Sequence, residues 1–168
     1  MRSSRPSMQT IRVNLEKHSY NILFGRGERT FLARLRDQLA GSPLVIVTNR
    51  KVRTTCLPSL RPALKGSKVS VIEIPDGERY KNLETVSRIY HQLLRLGAGR
   101  KTLLLALGGG VVGDLSGFIA ATYLRGIPYL QLPTTLLAQV DSAIGGKVAV
   151  DLPEGKNLVG CFYQPRAV

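Results

Sequence analysis

The chain has 168 residues, 43% hydrophobic and 21% charged, a balance that excludes wholesale disorder and suits one domain whose core needs neither disulfides nor structural metal. Its net charge of +13 is concentrated in residues 1–70, with 14 Lys/Arg against 3 Asp/Glu, but these are scattered singly without interleaved aromatics, which argues for a solvated basic face and against nucleic acid as a partner. The longest apolar stretch, Leu103 to Leu107, is far short of the roughly 18 residues of a membrane helix, and the distant Cys56 and Cys161 fit a reducing, cytoplasmic setting.

In chain order, residues 1–8 (MRSSRPSM) form a flexible polar extension without the apolar core of a secretory signal, and Met8 is itself a candidate start. The folded pattern runs from residue 9. Residues 11–15 and 20–24 predict two short strands that suit a hairpin. Phe31, Leu32, Leu35 and Leu39 give residues 28–39 the spacing of an amphipathic helix. Leu44 to Val47 is a buried strand closed by Thr48 and Asn49. Residues 50–64 resist assignment, because Pro58 and Pro62 interrupt any helix. A strand follows at 69–74, then a helix at 82–96 carrying Leu83, Val86, Ile89, Tyr90, Leu93 and Leu94 on its apolar positions. Residues 103–107 are a fully apolar strand, 111–123 a helix after glycines, and 129–132 another strand. Apolar strands alternating with helices predict an α/β fold, a mostly parallel Rossmann-like sheet covered on both faces. The last residues, Pro165 to Val168, look like the start of a further apolar segment, so the chain reads as interrupted.

Three clusters carry candidate chemistry. Gly108, Gly110 and Gly113 satisfy G-x-G-x-x-G between a buried strand and a helix, where backbone N–H groups can meet a pyrophosphate. No acid follows at the usual spacing for a ribose, and a tightly packed βα turn gives the same letters. Residues Asp76, Gly77, Glu78, Arg79, Tyr80 and Lys81 follow a strand, at the edge where open α/β sheets bind ligands; there a carboxylate can take ribose hydroxyls and a lysine a phosphate, or the segment is a polar turn. Thr134 and Thr135 follow the next strand, and Asp141 and Lys147 flank the Gly145–Gly146 turn, which can fold them toward one site. The Walker A pattern is not met, since no Ser or Thr follows Lys147. His18 and His91 lack a second ligand at helical spacing and read as surface or packing residues.

Together, PDGERYK (75–81), ALGGGVVGDLSGFIAATYLRGI (106–127), LPTTLLAQVDSAIGGKVAVD (132–151) and GKNLVGCFYQP (155–165) closely resemble the 3-dehydroquinate synthase family. The resemblance implies an NAD-binding domain over 9–168, with a helical metal and substrate domain beyond residue 168. It implies NAD contacts at Asp76 to Lys81, at Gly110, Val111, Val112, Gly113 and Asp114, and at Thr134, Thr135, Lys147 and Lys156. Arg125, Asp141, Lys147 and Asn157 are the implied catalytic and substrate contacts, with Arg125 facing the phosphate. The implied chemistry is a net phosphate elimination, with transient oxidation by NAD and help from zinc or cobalt held by residues outside this chain. The implied substrate is a small phosphorylated sugar acid, and the complete enzyme a homodimer. A sister sugar-phosphate cyclase, a polyol dehydrogenase and a non-catalytic nucleotide-binding module remain alternatives at this point.

Overall fold

A computed structural model describes residues 8–25, 28–39 and 41–168, so the expected amino-terminal extension falls, apart from Met8, outside the described residues. The first two strands, β1 (Met8–Val13) and β2 (Tyr20–Gly25), pair antiparallel as the expected hairpin. The central sheet is built from β3 (Leu44–Asn49), β4 (Val69–Ile74), β5 (Leu103–Gly108) and β6 (Tyr129–Pro133), all parallel, in the order β4-β3-β5-β6. Because β3 and β5 are completely buried, their alternating side chains must satisfy two apolar layers at once. Val45 and Val47 face α4 (Leu83–Arg95) and α5 (Gly110–Thr122), together with Val86, Ile89, Leu115 and Ile119. Leu44 and Ile46 face the opposite layer, where Leu35 and Leu39 of α1 (Glu28–Leu39) meet Leu60 and Ala63.

Residues 50–64 are helical, which corrects the sequence expectation. They form α2 (Arg50–Thr55), capped by the Asn49 side chain accepting from the Val52 N–H, and α3 (Leu57–Leu64). Pro58 lies in the first turn of α3, where its missing N–H has no intrahelical partner to lose. Pro62 forfeits one bond in a helix anchored by burial of Leu60 and Ala63. A second difference lies in α4, whose Val86, Ile89 and Leu93 are buried while Leu83 and Leu94 are exposed. A third is a hairpin that sequence periodicity did not signal, β7 (Lys147–Leu152) with β8 (Gly155–Phe162), whose outer strand is largely exposed.

The segment after β8 acts as a seam. Arg166 N–H donates to the Tyr129 carbonyl and Gln131 N–H to the Ala167 carbonyl, while Val168 and β2 exchange two more backbone bonds. The β1–β2 hairpin is thereby tied to the edge of the central sheet. Within the other layer, α5 lies against β7 so closely that a Cβ at Gly117 would run into the buried, β-branched Val148 side chain. We expect Gly117→Ala to destabilise the fold by about 1–2 kcal/mol in urea titration, although the same change in an open helix would be favourable by about 1 kcal/mol. A neutral or stabilising result would mean that β7 yields freely.

Candidate functional site

The connection from β3 to β4 runs to one side of β3, and α4 then carries the chain back across to β5 on the other side. The carboxyl ends of β3 and β5 therefore flank a topological switch point, the place where an open α/β sheet leaves a crevice. A cleft of about 380 Å³ opens there. All four parallel strands contribute to its wall: Asn49 at the end of β3, Asp76 and Gly77 after β4, Gly109 to Val112 after β5, and Thr134 and Thr135 after β6. Gly109 caps α5 without any side-chain hydrogen bond, so the first-turn N–H groups of a thirteen-residue helix face the cleft. Thr134 N–H donates to the Gly108 carbonyl and holds the threonine pair beside the glycine turn. The Thr135 hydroxyl accepts from the Ala138 N–H, so it starts the next turn as well as lining the cleft. Asn49 Nδ2 donates to Asp76 Oδ1 at 3.0 Å, which fixes one carboxylate oxygen and leaves the other for a ligand.

A second cleft of about 610 Å³ lies against the β7–β8 hairpin and is lined by Asp114, Asp141, Ser142, Lys147 and Asn157. Asp141 is on the π-type turn Ala138–Ser142, and Lys147 opens β7 immediately after the Gly145–Gly146 turn. The two clefts share α5, whose first turn faces one and whose Asp114 faces the other. Lys81 lines neither cleft but holds two of the second cleft's residues. It is almost fully buried, with its ammonium 2.5 Å from Asp114 Oδ2, 2.5 Å from Asn157 Oδ1 and 4.0 Å from Asp151 Oδ1. Burial pushes the Asp114 carboxyl above the ordinary carboxylate range, and the Lys81 ammonium opposes that push. Asn157 sits in the left-handed region at φ 57°, which Asn tolerates better than most residues, and its N–H donates to Asp151 Oδ1.

The family model described as 3-dehydroquinate synthase N-terminal matches residues 71–168. The chain belongs to the 3-dehydroquinate synthase family. It is 49% identical over 164 residues to a 3-dehydroquinate synthase of Geotalea uraniireducens, and 49% identical over 165 residues to one of Pelobacter propionicus. Each alignment covers 96% of this chain and 46% of the relative, so the chain spans about half the length of the curated relatives it matches. Among solved structures, a 2-deoxy-scyllo-inosose synthase complexed with carbaglucose-6-phosphate, NAD+ and Co2+ superposes with a TM-score of 0.85 at 32% identity, covering 95% of this chain and 45% of that one. The 2-epi-5-epi-valiolone synthase of Streptomyces hygroscopicus subsp. jinggangensis 5008, with NAD+ and Zn2+ bound, gives 0.77 at 30% identity, covering 92% and 43%.

In this member of the 3-dehydroquinate synthase family, the residues singled out from the sequence divide into groups. Asp76, Gly77, Gly110, Val111, Val112, Thr134 and Thr135 converge on the first cleft; Asp114, Asp141, Lys147 and Asn157 line the second. Lys81 is occupied by its carboxylate and amide partners rather than free in a turn. Gly113 lies inside α5, its N–H bonded to the Gly109 carbonyl. Glu78, Arg79 and Tyr80 form a short 3₁₀ turn, with the Arg79 guanidinium 4.8 Å from the Tyr80 ring centre and Glu78 paired to the exposed Lys156 at 3.6 Å. Arg125 lies in the turn after α5, where Leu124, Arg125 and Gly126 all take positive φ, and it lines neither cleft. Asn49 and Asp151 were missed. A polar residue closing a buried parallel strand was the available signal for Asn49; nothing in the sequence marked Asp151.

Proposed function

We propose that this chain binds NAD in the first cleft and forms the cofactor half of a 3-dehydroquinate synthase. The observation that carries the reading is the uncapped amino terminus of α5 at the switch point, with Asp76 and the Thr134–Thr135 pair around it. These groups suit a dinucleotide: the α5 N–H groups meet the pyrophosphate, Asp76 accepts from ribose hydroxyls, and the threonines fix its orientation. Bound NAD supplies transient removal of a hydride from a substrate alcohol. The second cleft adjoins the helix that carries the cofactor site, so Asp141, Lys147 and Asn157 hold the substrate beside it. Lys147 offers a mobile positive charge to the departing phosphate, and Asn157, held by Lys81, orients a hydroxyl. The zinc or cobalt of the reaction is assigned, as the family resemblance implies, to the remaining half of the whole protein. Leu136, Leu137, Val140, Leu158 and Phe162 are exposed large apolar residues on the π-turn, the segment leading to it and β8; we propose that the remaining half of the whole protein covers them.

The substrate of the whole protein is then 3-deoxy-D-arabino-heptulosonate 7-phosphate and its products are 3-dehydroquinate and phosphate. It acts as a homodimer in the cytoplasm; no helix among the described residues is long and apolar enough to cross a membrane. Identity favours this substrate over those of the sister cyclases, at 49% against 32% and 30%. Calorimetry with NAD on the 168-residue chain tests the cofactor assignment. We expect saturable binding, weakened about tenfold by Asp76→Ala, the loss expected for hydrogen bonds to a charged acceptor. No heat up to millimolar NAD would count against it.

A further inference from the structure

The turn that presents Lys147 is made of the two residues least able to hold a shape by themselves. Gly145 has φ +91° and Gly146 φ +68°, both in the left-handed region. Lys147 itself is exposed, and its direction follows that of the backbone entering β7. A polar clamp surrounds this turn. Gly145 N–H donates to the hydroxyl of Tyr20, a residue only 1% exposed on β2 and 125 positions away. Gln164 Nε2 donates to the Gly145 carbonyl at 3.2 Å, and its amide lies so close that a Cβ on Gly146 would be 2.5 Å from it. The third bond is from Tyr163 N–H to the Gly146 carbonyl at 2.8 Å, and Tyr163 is held in turn by the Tyr129 hydroxyl donating to its own carbonyl. Burial pushes the Tyr129 phenol up, which keeps it a donor.

We infer that Tyr20 and Gln164 are positioning residues for Lys147, acting through the Gly145–Gly146 turn. The backbone bond from Tyr163 reaches only the Gly146 carbonyl, and the two side chains take up the N–H and the carbonyl of Gly145, one in each of the peptide units that flank it. Gln164 Oε1 is buried without a partner among the described residues, so the amide is turned toward the glycine carbonyl at the expense of its own oxygen. Tyr20 lies on β2, which is tied down next to it: Asn21 and, two residues further on, Leu23 exchange backbone bonds with Val168. The clamp therefore refers the position of one lysine to the central sheet through the seam, in addition to the packing of β7 against α5. The inference deepens the proposed function, on which the role of Lys147 rests.

Amide hydrogen exchange on the isotope-labelled 168-residue chain tests the clamp, with a titration of inorganic phosphate read at the Lys147 side-chain signal. The variants are Tyr20→Phe and Gln164→Leu. Tyr90→Phe is the control, since it loses a comparable hydroxyl bond, to Thr122, away from the turn. We expect Gly145 N–H exchange to quicken about three- to tenfold in Tyr20→Phe, the loss of one hydrogen bond. Gln164→Leu should quicken exchange at Gly145 and Gly146, and both variants should weaken phosphate binding at Lys147 several-fold while the control does not. Should Tyr20→Phe fail to fold, Gln164→Leu decides. Turn exchange in the variants no faster than in Tyr90→Phe would overturn the inference. If phosphate leaves the Lys147 signal of the unsubstituted chain unmoved, the phosphate role proposed for Lys147 fails, and the exchange rates still decide the clamp.

Discussion

Replacing Lys81 with Met is expected to destabilise the chain by about 3–5 kcal/mol, the usual cost of stranding one partner of a buried ion pair. The Lys81 side chain is 5% exposed and that of Asp114 17% exposed, so water can do little to replace the lost ammonium. Met fills the same volume but cannot donate to Asp114 or to Asn157. The loss should also depend on pH. Burial already holds the Asp114 carboxyl above its ordinary value, so the folded state binds its proton more tightly than the unfolded chain does. The stability from that preference is fully present below the ordinary carboxylate pKa and is lost as pH rises through the raised one. Without Lys81 the rise is larger, so the variant should recover part of its deficit on acidification. Urea denaturation at neutral pH and near pH 5 measures this, and the double variant Lys81→Met with Asp114→Asn should regain part of the loss. Lys156→Ala, which breaks only the exposed pair with Glu78, should change little. A Lys81→Met loss as small as that would show that the buried cluster does not anchor the chain as an ion pair.

Under the proposed function, Lys147→Ala in the whole protein is expected to lower phosphate release from the proposed substrate, 3-deoxy-D-arabino-heptulosonate 7-phosphate, about 100-fold, or about 2.7 kcal/mol of transition-state stabilisation. The reason is placement: Lys147 is exposed at the mouth of the cleft lined by Asp114, Asp141 and Asn157 and has no ion-pair partner closer than 4 Å among the described residues. Its charge is thus available to a ligand, and its loss should leave the folding midpoint nearly unchanged. Arg61→Ala is the comparison, an exposed position on α3 that lines neither cleft. Equal effects of the two substitutions on turnover would remove Lys147 from the site.

The sequence by itself determined the elements whose burial is repetitive. Full apolar runs at 44–47 and 103–107 pointed to strands covered on both faces, and both were observed there; the apolar spacing over 82–96 marked a helix whose Val86, Ile89 and Leu93 are buried, while Leu83 and Leu94, read as part of the same face, are exposed. The motif segments likewise announced a dinucleotide family without any coordinates. What periodicity encodes is which side of an element is buried, and it says nothing of which elements meet. Only the tertiary structure could therefore decide that Lys81 and Asn157, 76 positions apart, share a hydrogen bond, or that Asp76 is braced by Asn49. It also decided that residues 50–64 are helical, because Pro58 falls in the first turn of α3 and burial of Leu60 and Ala63 outweighs what Pro62 costs locally. The β7–β8 hairpin escaped the pattern for the opposite reason: its outer strand is exposed, so no alternation was imposed on it. Tyr20 and Gln164 carry no local signal at all, since their partners are backbone groups of two glycines, and a glycine's sequence letter does not say what lies against its N–H and carbonyl.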